Sequence, residues 1–199
     1  MRKVILQEFV TLDGMAAGPD GNTDFVPGSM QGDRSFMEEQ MRLMKVVDTL
    51  LLGRKTYEMF ASYWPQVKEG DDKEFAEKIG QMHKFVFSNT IESAPWGDQE
   101  AGVVVNGDAT KELVKIKAKP GKNMIIWGSI SLSQDLINEG LIDEYRLVTC
   151  PVVLGSGRPF FDDKVDSSNV KFLEAKTFDR GAVQLKYEPA KTVAKQTAG

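Results

Sequence analysis

The chain has 199 residues, of which 41% are hydrophobic and 27% charged, and its formal net charge at pH 7 is −4. These values are ordinary for a soluble globular protein, and the length predicts one domain over residues 1–189, followed by a flexible tail over 190–199. The acidic balance, without a long basic block, argues against nucleic acid as a partner.

Cysteine and histidine usage and the N-terminal segment indicate the compartment. A single cysteine, Cys150, rules out an internal disulfide, and a single histidine, His83, leaves too few ligands for a zinc site. No apolar run is long enough to cross a membrane, and the first residues lack the apolar core of a signal peptide. The sequence therefore predicts a cytoplasmic protein without a metal or a membrane anchor.

The first half of the chain alternates predicted strands with predicted helices. In order, the elements are a strand over 4–12, a loop over 13–32, a helix over 33–48, a strand over 49–52 and a helix from 54 to 64. The loop is long and rich in Gly, Pro, Asp and Asn, which is typical of a functional segment. Residues 66–82 are strongly charged and are predicted to lie at the surface.

The second half continues the alternation and ends in consecutive strands. Strands are predicted over 84–88, 103–106, 124–127 and 144–153, with helices over 108–119 and 129–138, and a hairpin over 170–187. Strands that alternate with helices form parallel sheets, and consecutive strands form antiparallel ones. The prediction is an α/β fold with a mostly parallel central sheet and an antiparallel edge hairpin at the C-terminus.

Two junctions share a pattern in which an apolar strand ends at a glycine and a helix begins at once. The glycines are Gly53 and Gly128. Glycine permits a sharp turn and close approach of a ligand, and the helix N-terminus that follows favours a phosphate. Two such junctions in one domain suit a dinucleotide, although each alone is equally consistent with an ordinary strand-to-helix turn.

Polar residues beside these junctions are further candidates for cofactor binding. Arg54 is placed to pair with a phosphate by a forked contact, and Thr56 adds a hydroxyl group. Ser88 and Asn89 end another strand and are candidates for a ribose or its phosphate, and a plain polar turn is an equal alternative.

Three further polar residues have two interpretations each. Asp33 and Gln40 lie on the apolar face of the first predicted helix, where buried polar groups need partners. Either Asp33 caps the helix and Gln40 bonds to backbone, or both face a polar substrate. Asp13 is either a turn residue or a ligand contact.

Several segments together resemble the dihydrofolate reductase superfamily, and most closely its branch that contains the reductase domain of bacterial riboflavin biosynthesis. They are 11–14 (TLDG), 52–58 (LGRKTYE), 63–65 (YWP), 126–132 (IWGSISL), 143–147 (DEYRL) and 151–157 (PVVLGSG). The resemblance implies a three-layer dihydrofolate reductase-like fold, a homodimer and NADPH as cofactor. It also implies that the cofactor is bound by Gly53, Arg54, Thr56, Ser88, Asn89, Gly128, Ser129, Ile130, Ser131 and Leu132.

Two departures from the superfamily bear on the substrate. Dihydrofolate reductases carry a carboxylate on the first helix, and its place here falls near Met37, which cannot titrate; this argues against folate. The turn at Gly128 continues with Ser129 and Ile130, where folate reductases have successive glycines. The zinc deaminase of riboflavin biosynthesis has no counterpart, because the chain has no Cys pair.

These observations favour an NADPH-dependent reductase of a small heterocyclic or carbonyl compound. The alternative is an NADP-binding sensor or partner protein of the same fold that has lost catalysis. A third hypothesis is a reductase of a ribosylamino pyrimidine, with Arg158 as the candidate for a ribitol phosphate.

The predicted substrate site lies between the 13–32 loop and the first helix. Phe36 and Trp64 are expected to stack on a planar ring, and Gln40 to contact its polar edge. Asp13, Asp33 or a bound water is the expected proton source. The apolar run over 147–154 is expected near a homodimer contact, although a core strand explains it equally well.

Overall fold

A computed structural model of the chain describes residues 1–165 and 169–190, so the predicted tail beyond Ala190 lies outside the described residues. Its main feature is a nine-stranded sheet with the order β10-β11-β8-β1-β7-β3-β4-β6-β5, beside a two-stranded ribbon of β2 and β9. The strands are β1 (Val4–Thr11), β2 (Met15–Ala17), β3 (Val47–Gly53), β4 (His83–Phe87), β5 (Ala94–Trp96), β6 (Gln99–Val105), β7 (Asn123–Trp127), β8 (Glu144–Cys150), β9 (Arg158–Pro159), β10 (Val170–Thr177) and β11 (Val183–Pro189).

Helices cover both faces of the sheet and give three layers. They are α1 (Phe25–Met30), α2 (Arg34–Met44), α3 (Arg54–Tyr63), α4 (Lys73–Gln81), α5 (Ala109–Lys117) and α6 (Ile130–Asn138), with a short 3-10 turn over Trp64–Gln66. Alternate side chains along β1 point to opposite faces. Ile5 packs in the cluster formed by α2, α3 and α4, whereas Leu6 packs in the cluster formed by α5 and α6.

The sheet confirms the predicted mixed topology. β1, β3, β4, β6, β7 and β8 run parallel, and the C-terminal hairpin of β10 and β11 joins β8 antiparallel. A second antiparallel edge, β5 against β6, was not predicted. Its three residues include Pro95, and such a short strand has too little pattern to be recognised.

Two boundaries in the N-terminal third differ from the prediction. The 13–32 segment holds β2 and α1 and is not a continuous loop. The first long helix ends at Met44, and β3 begins at Val47, so the strand starts before the predicted residue 49. Val47 is an apolar residue that fits a helix face and a strand equally, and its burial in the sheet decides the outcome.

The prediction that 66–82 is only a charged surface segment is wrong. It contains α4, whose residues Phe75, Ala76 and Ile79 are buried against the sheet. Their spacing of three to four residues forms one apolar stripe among many Lys and Glu residues. The stripe was missed because most residues of the segment are charged or polar.

The parallel strands place their carboxyl ends at one edge of the sheet. β1, β7, β3 and β4 are consecutive neighbours there, and they end at Thr11, Trp127, Gly53 and Phe87. In open α/β sheets this is the edge where ligands bind. No helix among residues 1–165 and 169–190 is both long and apolar enough to cross a membrane.

Candidate active site

The structure brings the two glycine junctions into direct contact. β3 and β7 are neighbours in the sheet, with Leu51 opposite Ile126. The backbone N–H of Gly53 donates to Ser129 Oγ at 2.9 Å, and the N–H of Ser129 donates to Thr56 Oγ1 at 3.0 Å. The N-termini of α3 and α6 are therefore tied together by side-chain hydroxyl groups at the ligand-binding edge.

The turn before α6 has an unusual backbone. Gly128 and Ser129 have φ angles of +58° and +57°, and Ser129 is the only residue other than glycine with positive φ in the described part of the chain. A serine in the left-handed region is strained, and such strain concentrates at functional sites. Three hydrogen bonds that involve a side chain hold it there, since Ser129 Oγ also donates to the carbonyl of Trp127 at 3.3 Å.

The helices at these junctions have no side-chain caps. Asp33 caps α2 and Asp108 caps α5, but neither Gly53 nor Ser129 offers a side-chain oxygen to its own helix. Orphan N–H groups at a helix start need a partner, and an anionic group meets this need.

The remaining cofactor candidates lie beside these turns. Arg54 is the first residue of α3 and pairs with Glu58 on the same helix, with 2.9 Å between Nη1 and Oε1. Such an exposed pair contributes little to stability. Asn89 Oδ1 accepts from the N–H of Gly107 at 2.6 Å and links the ends of β4 and β6, while Ser88 Oγ accepts from the N–H of Thr90.

The predicted cofactor residues in the first turn of α6 differ in burial. Leu132 is buried in the core, whereas Ser131 is exposed and its hydroxyl accepts from Arg158 Nη2 at 3.1 Å. Ile130 is half-buried against the same core.

Asp33 caps α2, as one of its two interpretations stated. Its carboxylate accepts from the N–H groups of Phe36 and Arg180 and from the Ser35 hydroxyl, at 2.7 to 2.9 Å. Burial opposes ionisation, but these hydrogen bonds outweigh it and hold the pKa of Asp33 below its ordinary value. Asp33 therefore also fixes the turn between β10 and β11.

Gln40 bonds to another side chain and not to backbone. Gln7 Nε2 donates to Gln40 Oε1 at 2.9 Å, and Gln184 Nε2 donates to Gln7 Oε1 at 3.3 Å. We call these three residues the amide cluster. All three are buried, and Gln184 Oε1 has no hydrogen-bond partner within the described part of the chain. A buried acceptor without a partner indicates a place where a polar group is missing.

The two aromatic candidates lie in different clusters. Phe36 packs against Phe9 and Phe178, with ring centroids 5.6 and 5.2 Å away. Trp64 packs against Phe60 and Phe75, at 6.1 and 5.1 Å. Both rings thus have structural partners of their own, and their stacking on a substrate stays a prediction.

Asp13 joins the end of β1 to the loop after β8. Its carboxylate accepts from the hydroxyl of Thr11 at 2.6 Å and from the N–H groups of Leu154 and Gly155. The Thr11 hydroxyl first, and then the Gly155 N–H, lower the pKa of Asp13 to about 2. The group is therefore a carboxylate at neutral pH, which is unfavourable for a proton donor.

Sequence reasoning missed the polar residues at the centre of β1 and on the buried face of α2. Gln7 and Glu8 interrupt an otherwise apolar strand, and that interruption was the available signal. Glu39 was missed because it adjoins the exposed Glu38, although it is itself buried. The described residues hold no group of three His, Cys, Asp or Glu side chains arranged for a metal ion.

Comparisons with known proteins identify a family and similar folds. The family model of the RibD C-terminal domain matches residues 2–184. The uncharacterized protein YyaP of Bacillus subtilis (strain 168) is 36% identical over 187 residues, which are 94% of each chain. A putative riboflavin biosynthesis protein from Shewanella sp. PV-4 has a TM-score of 0.72 at 25% identity, covering 95% of this chain and 99% of that one.

A more distant structure shows the fold alone. A dihydrofolate reductase from Enterococcus faecalis, solved with NADP(H), has a TM-score of 0.60 at 16% identity, covering 94% of this chain and 96% of that one. The family match confirms the predicted resemblance to the reductase domain of bacterial riboflavin biosynthesis, and the more distant structure confirms the dihydrofolate reductase-like fold.

Proposed function

The chain belongs to the RibD C-terminal domain family, and from this membership we propose that it is a reductase that uses NADPH to reduce a small heterocyclic or carbonyl compound. The observation that carries the proposal is the contact between the two glycine junctions, where Ser129 bonds to both Gly53 and Thr56. The reductase-like fold supports the reaction type, and the phosphate-binding character of both helix starts supports a dinucleotide.

The residues at the sheet edge fit a dinucleotide phosphate. The uncapped starts of α3 and α6 would hold the pyrophosphate, with hydroxyl groups of Thr56 and Ser131 beside it. Arg54, Ser88 and Asn89 would hold the adenosine side and its 2′-phosphate. When bound, the reduced nicotinamide supplies a hydride, and the protein contributes orientation and electrostatics.

We expect the protein to bind NADPH about 10- to 100-fold more tightly than NADH, because one charge-assisted contact of Arg54 to the extra phosphate is worth roughly 1.5–3 kcal/mol. Replacing Arg54 by alanine should remove most of this preference and leave NADH binding nearly unchanged. Titration of tryptophan fluorescence with both cofactors measures it. Lys55→Ala, at the exposed neighbouring position, is the matched control. Equal affinities of the wild type for the two cofactors would reject the assignment.

We place the substrate beside the amide cluster, under the 13–32 segment and α2. The unpartnered Gln184 Oε1 offers an acceptor to a polar ring edge, and Gln40 contributes its amide from α2. Because hydrogen bonds hold both Asp13 and Asp33 as carboxylates, a bound water is the proton source we favour among the three candidates.

Replacing Gln40 by leucine is expected to lower kcat/KM by about 10-fold or more, because a buried site that loses a polar partner leaves other groups unpaired. A screen of NADPH oxidation over pteridines, pyrimidines, flavins and quinones identifies the substrate for this measurement. Asp33→Asn is the comparison variant. It should lower the thermal midpoint through the weakened cap while kcat/KM stays near wild type. If Gln40→Leu retains wild-type kcat/KM, the substrate is bound elsewhere.

A second candidate function is an NADP-binding sensor or partner protein without catalysis. It is favoured by the engagement of Asp13 and Asp33 in structural hydrogen bonds, which leaves neither as a ready proton donor. Tight NADPH binding, together with no cofactor oxidation over the whole screen, would favour this alternative.

The homodimer stays a proposal, and its proposed contact now lies on the edge strand β10. Residues 151–154 of the apolar run that motivated it follow β8 in a loop, with Val153 exposed, and residues 147–150 lie on β8, which is enclosed between β1 and β11. In contrast, Val170, Phe172 and Leu173 on β10 are exposed apolar residues. Light scattering should give twice the 22.1 kDa chain mass, and Phe172→Glu should return it to the monomer value. A wild-type monomer at micromolar concentration would contradict the proposal.

A further inference from the structure

Glu8 is a buried carboxyl group at the centre of the sheet with half of its hydrogen-bonding capacity unused. Its residue exposure is 5%, and it lies on β1 facing α6. Oε1 accepts from the N–H of Phe9 at 3.1 Å, whereas Oε2 has no hydrogen-bond partner among the residues that the structure describes. Leaving such an atom unpaired is costly, so its retention needs an explanation.

Among the described residues, Arg158 is the charged group that acts on Glu8. Arg158 on β9 attracts it electrostatically, but the Arg158 guanidinium bonds to Ser131 Oγ and Gln134 Oε1 on α6. On the neighbouring strand β8, Leu147 lies opposite Glu8. Burial raises the pKa of Glu8 to about 8, so the group is a neutral acid at pH 7.

Strand register places Glu8 beside the glycine turn of the proposed cofactor site. Gln7 is opposite Trp127 in the parallel pair of β1 and β7, so the next residues along the two strands, Glu8 and Gly128, are level with one another. The side chain of Gln7 points to the α2 face and to Gln40, whereas Glu8 points to the opposite face. One strand thus presents an amide toward α2 and an acid toward α6, whose N-terminus belongs to the proposed cofactor site.

We propose that the carboxyl group of Glu8 binds the carboxamide of the reduced nicotinamide ring, an inference that rests on the proposed function. A neutral carboxylic acid has one O–H donor and spare acceptor lone pairs, and a primary carboxamide has a C=O acceptor and N–H donors. The two groups pair through two parallel hydrogen bonds without placing a charge in the core. Oε2–H donates to the carboxamide oxygen, and Oε1 accepts from its N–H.

The test compares two ligands that differ only in the part that Glu8 would contact. NADPH and 2′-phospho-ADP-ribose share the adenosine, its 2′-phosphate and the pyrophosphate, but the second lacks nicotinamide. Both are titrated against wild-type protein, Glu8→Leu and Glu8→Gln, with binding followed by calorimetry. Circular dichroism confirms that each variant is folded.

Glu8→Leu should weaken NADPH binding about 10- to 100-fold and leave binding of 2′-phospho-ADP-ribose within about twofold. Glu8→Gln should retain most of the NADPH affinity, since its amide also pairs with a carboxamide. If Glu8→Leu weakens both ligands equally, or neither, the inference is overturned although the proposed cofactor stands. If the wild type binds 2′-phospho-ADP-ribose as tightly as NADPH, the inference is likewise overturned. Failure of the wild type to bind either ligand overturns the proposed function together with the inference.

Discussion

Replacing Glu39 by glutamine is expected to lower the free energy of unfolding by about 3–5 kcal/mol, because it removes a carboxylate that several buried or half-buried cations share. Glu39 lies on α2, and its carboxylate contacts Lys186 Nζ at 2.7 Å, Lys176 Nζ at 3.0 Å and Arg146 Nη1 at 3.9 Å. These cations come from β8, β10 and β11. In a chain of this length the loss corresponds to roughly 2–4 °C per kcal/mol in the thermal midpoint.

In Glu39→Gln, the remaining carboxylates do not neutralise all of these cations. Arg146 retains Glu144 and Lys186 retains Glu174, but Lys176 has no other carboxylate within ion-pair distance among the described residues. Glu38→Gln is the control on the preceding residue, since its pair with Arg42 is exposed and 3.6 Å long. It should change the free energy of unfolding by less than about 0.5 kcal/mol. Equal midpoints for the two variants in thermal unfolding would show that the Glu39 network contributes nothing.

The order of strands and helices could be predicted because each carries its own pattern. Apolar runs that end at a glycine predicted β3 and β7, and Asp108 before an apolar stripe predicted α5. The elements that were not predicted are mostly short or rich in charged residues. α4 was hidden by its Lys and Glu residues, and β5 and β9 have only three and two residues. The pairing of β9 with β2 depends on tertiary contacts that no local pattern encodes.

The parts of the candidate site that are set by backbone conformation could be predicted from the sequence. The parts that are set by contacts between side chains distant in sequence could not. Gly53 and Gly128 mark turns that few other residues allow, so their positions follow from sequence. In contrast, the contact of Ser129 with Thr56 spans 73 positions and follows only from the neighbouring positions of β3 and β7. The amide cluster likewise joins β1, α2 and β11, and the sequence showed only that Gln40 needed a partner.

Glu8 gives the protein a dependence of stability on pH that opposes the usual behaviour of carboxylates. Its pKa is about 8 in the folded chain and 4.5 in the reference state, with burial as the main cause. The folded state therefore binds a proton between these values that the unfolded state has released. By linkage, this contribution to stability is complete below pH 4.5 and is lost as the pH rises through 8, at about 1.4 kcal/mol per pH unit.

Glu8→Gln is therefore expected to stabilise the protein at high pH and not at low pH. Relative to wild type, its free energy of unfolding should be nearly unchanged at pH 5 and higher by about 2–4 kcal/mol at pH 8, because glutamine has no charge to desolvate. Urea unfolding at pH 5, 6.5 and 8 measures the difference.

Arg158 is the cation that attracts the ionised form, and Tyr145, on the same face of β8, stays neutral because burial raises its pKa to about 12. Glu38→Gln, at an exposed position, controls for the loss of one carboxylate. If the wild type and Glu8→Gln differ by the same amount at all three pH values, Glu8 ionises normally in the folded protein, and its protonated form is not available to a carboxamide at neutral pH.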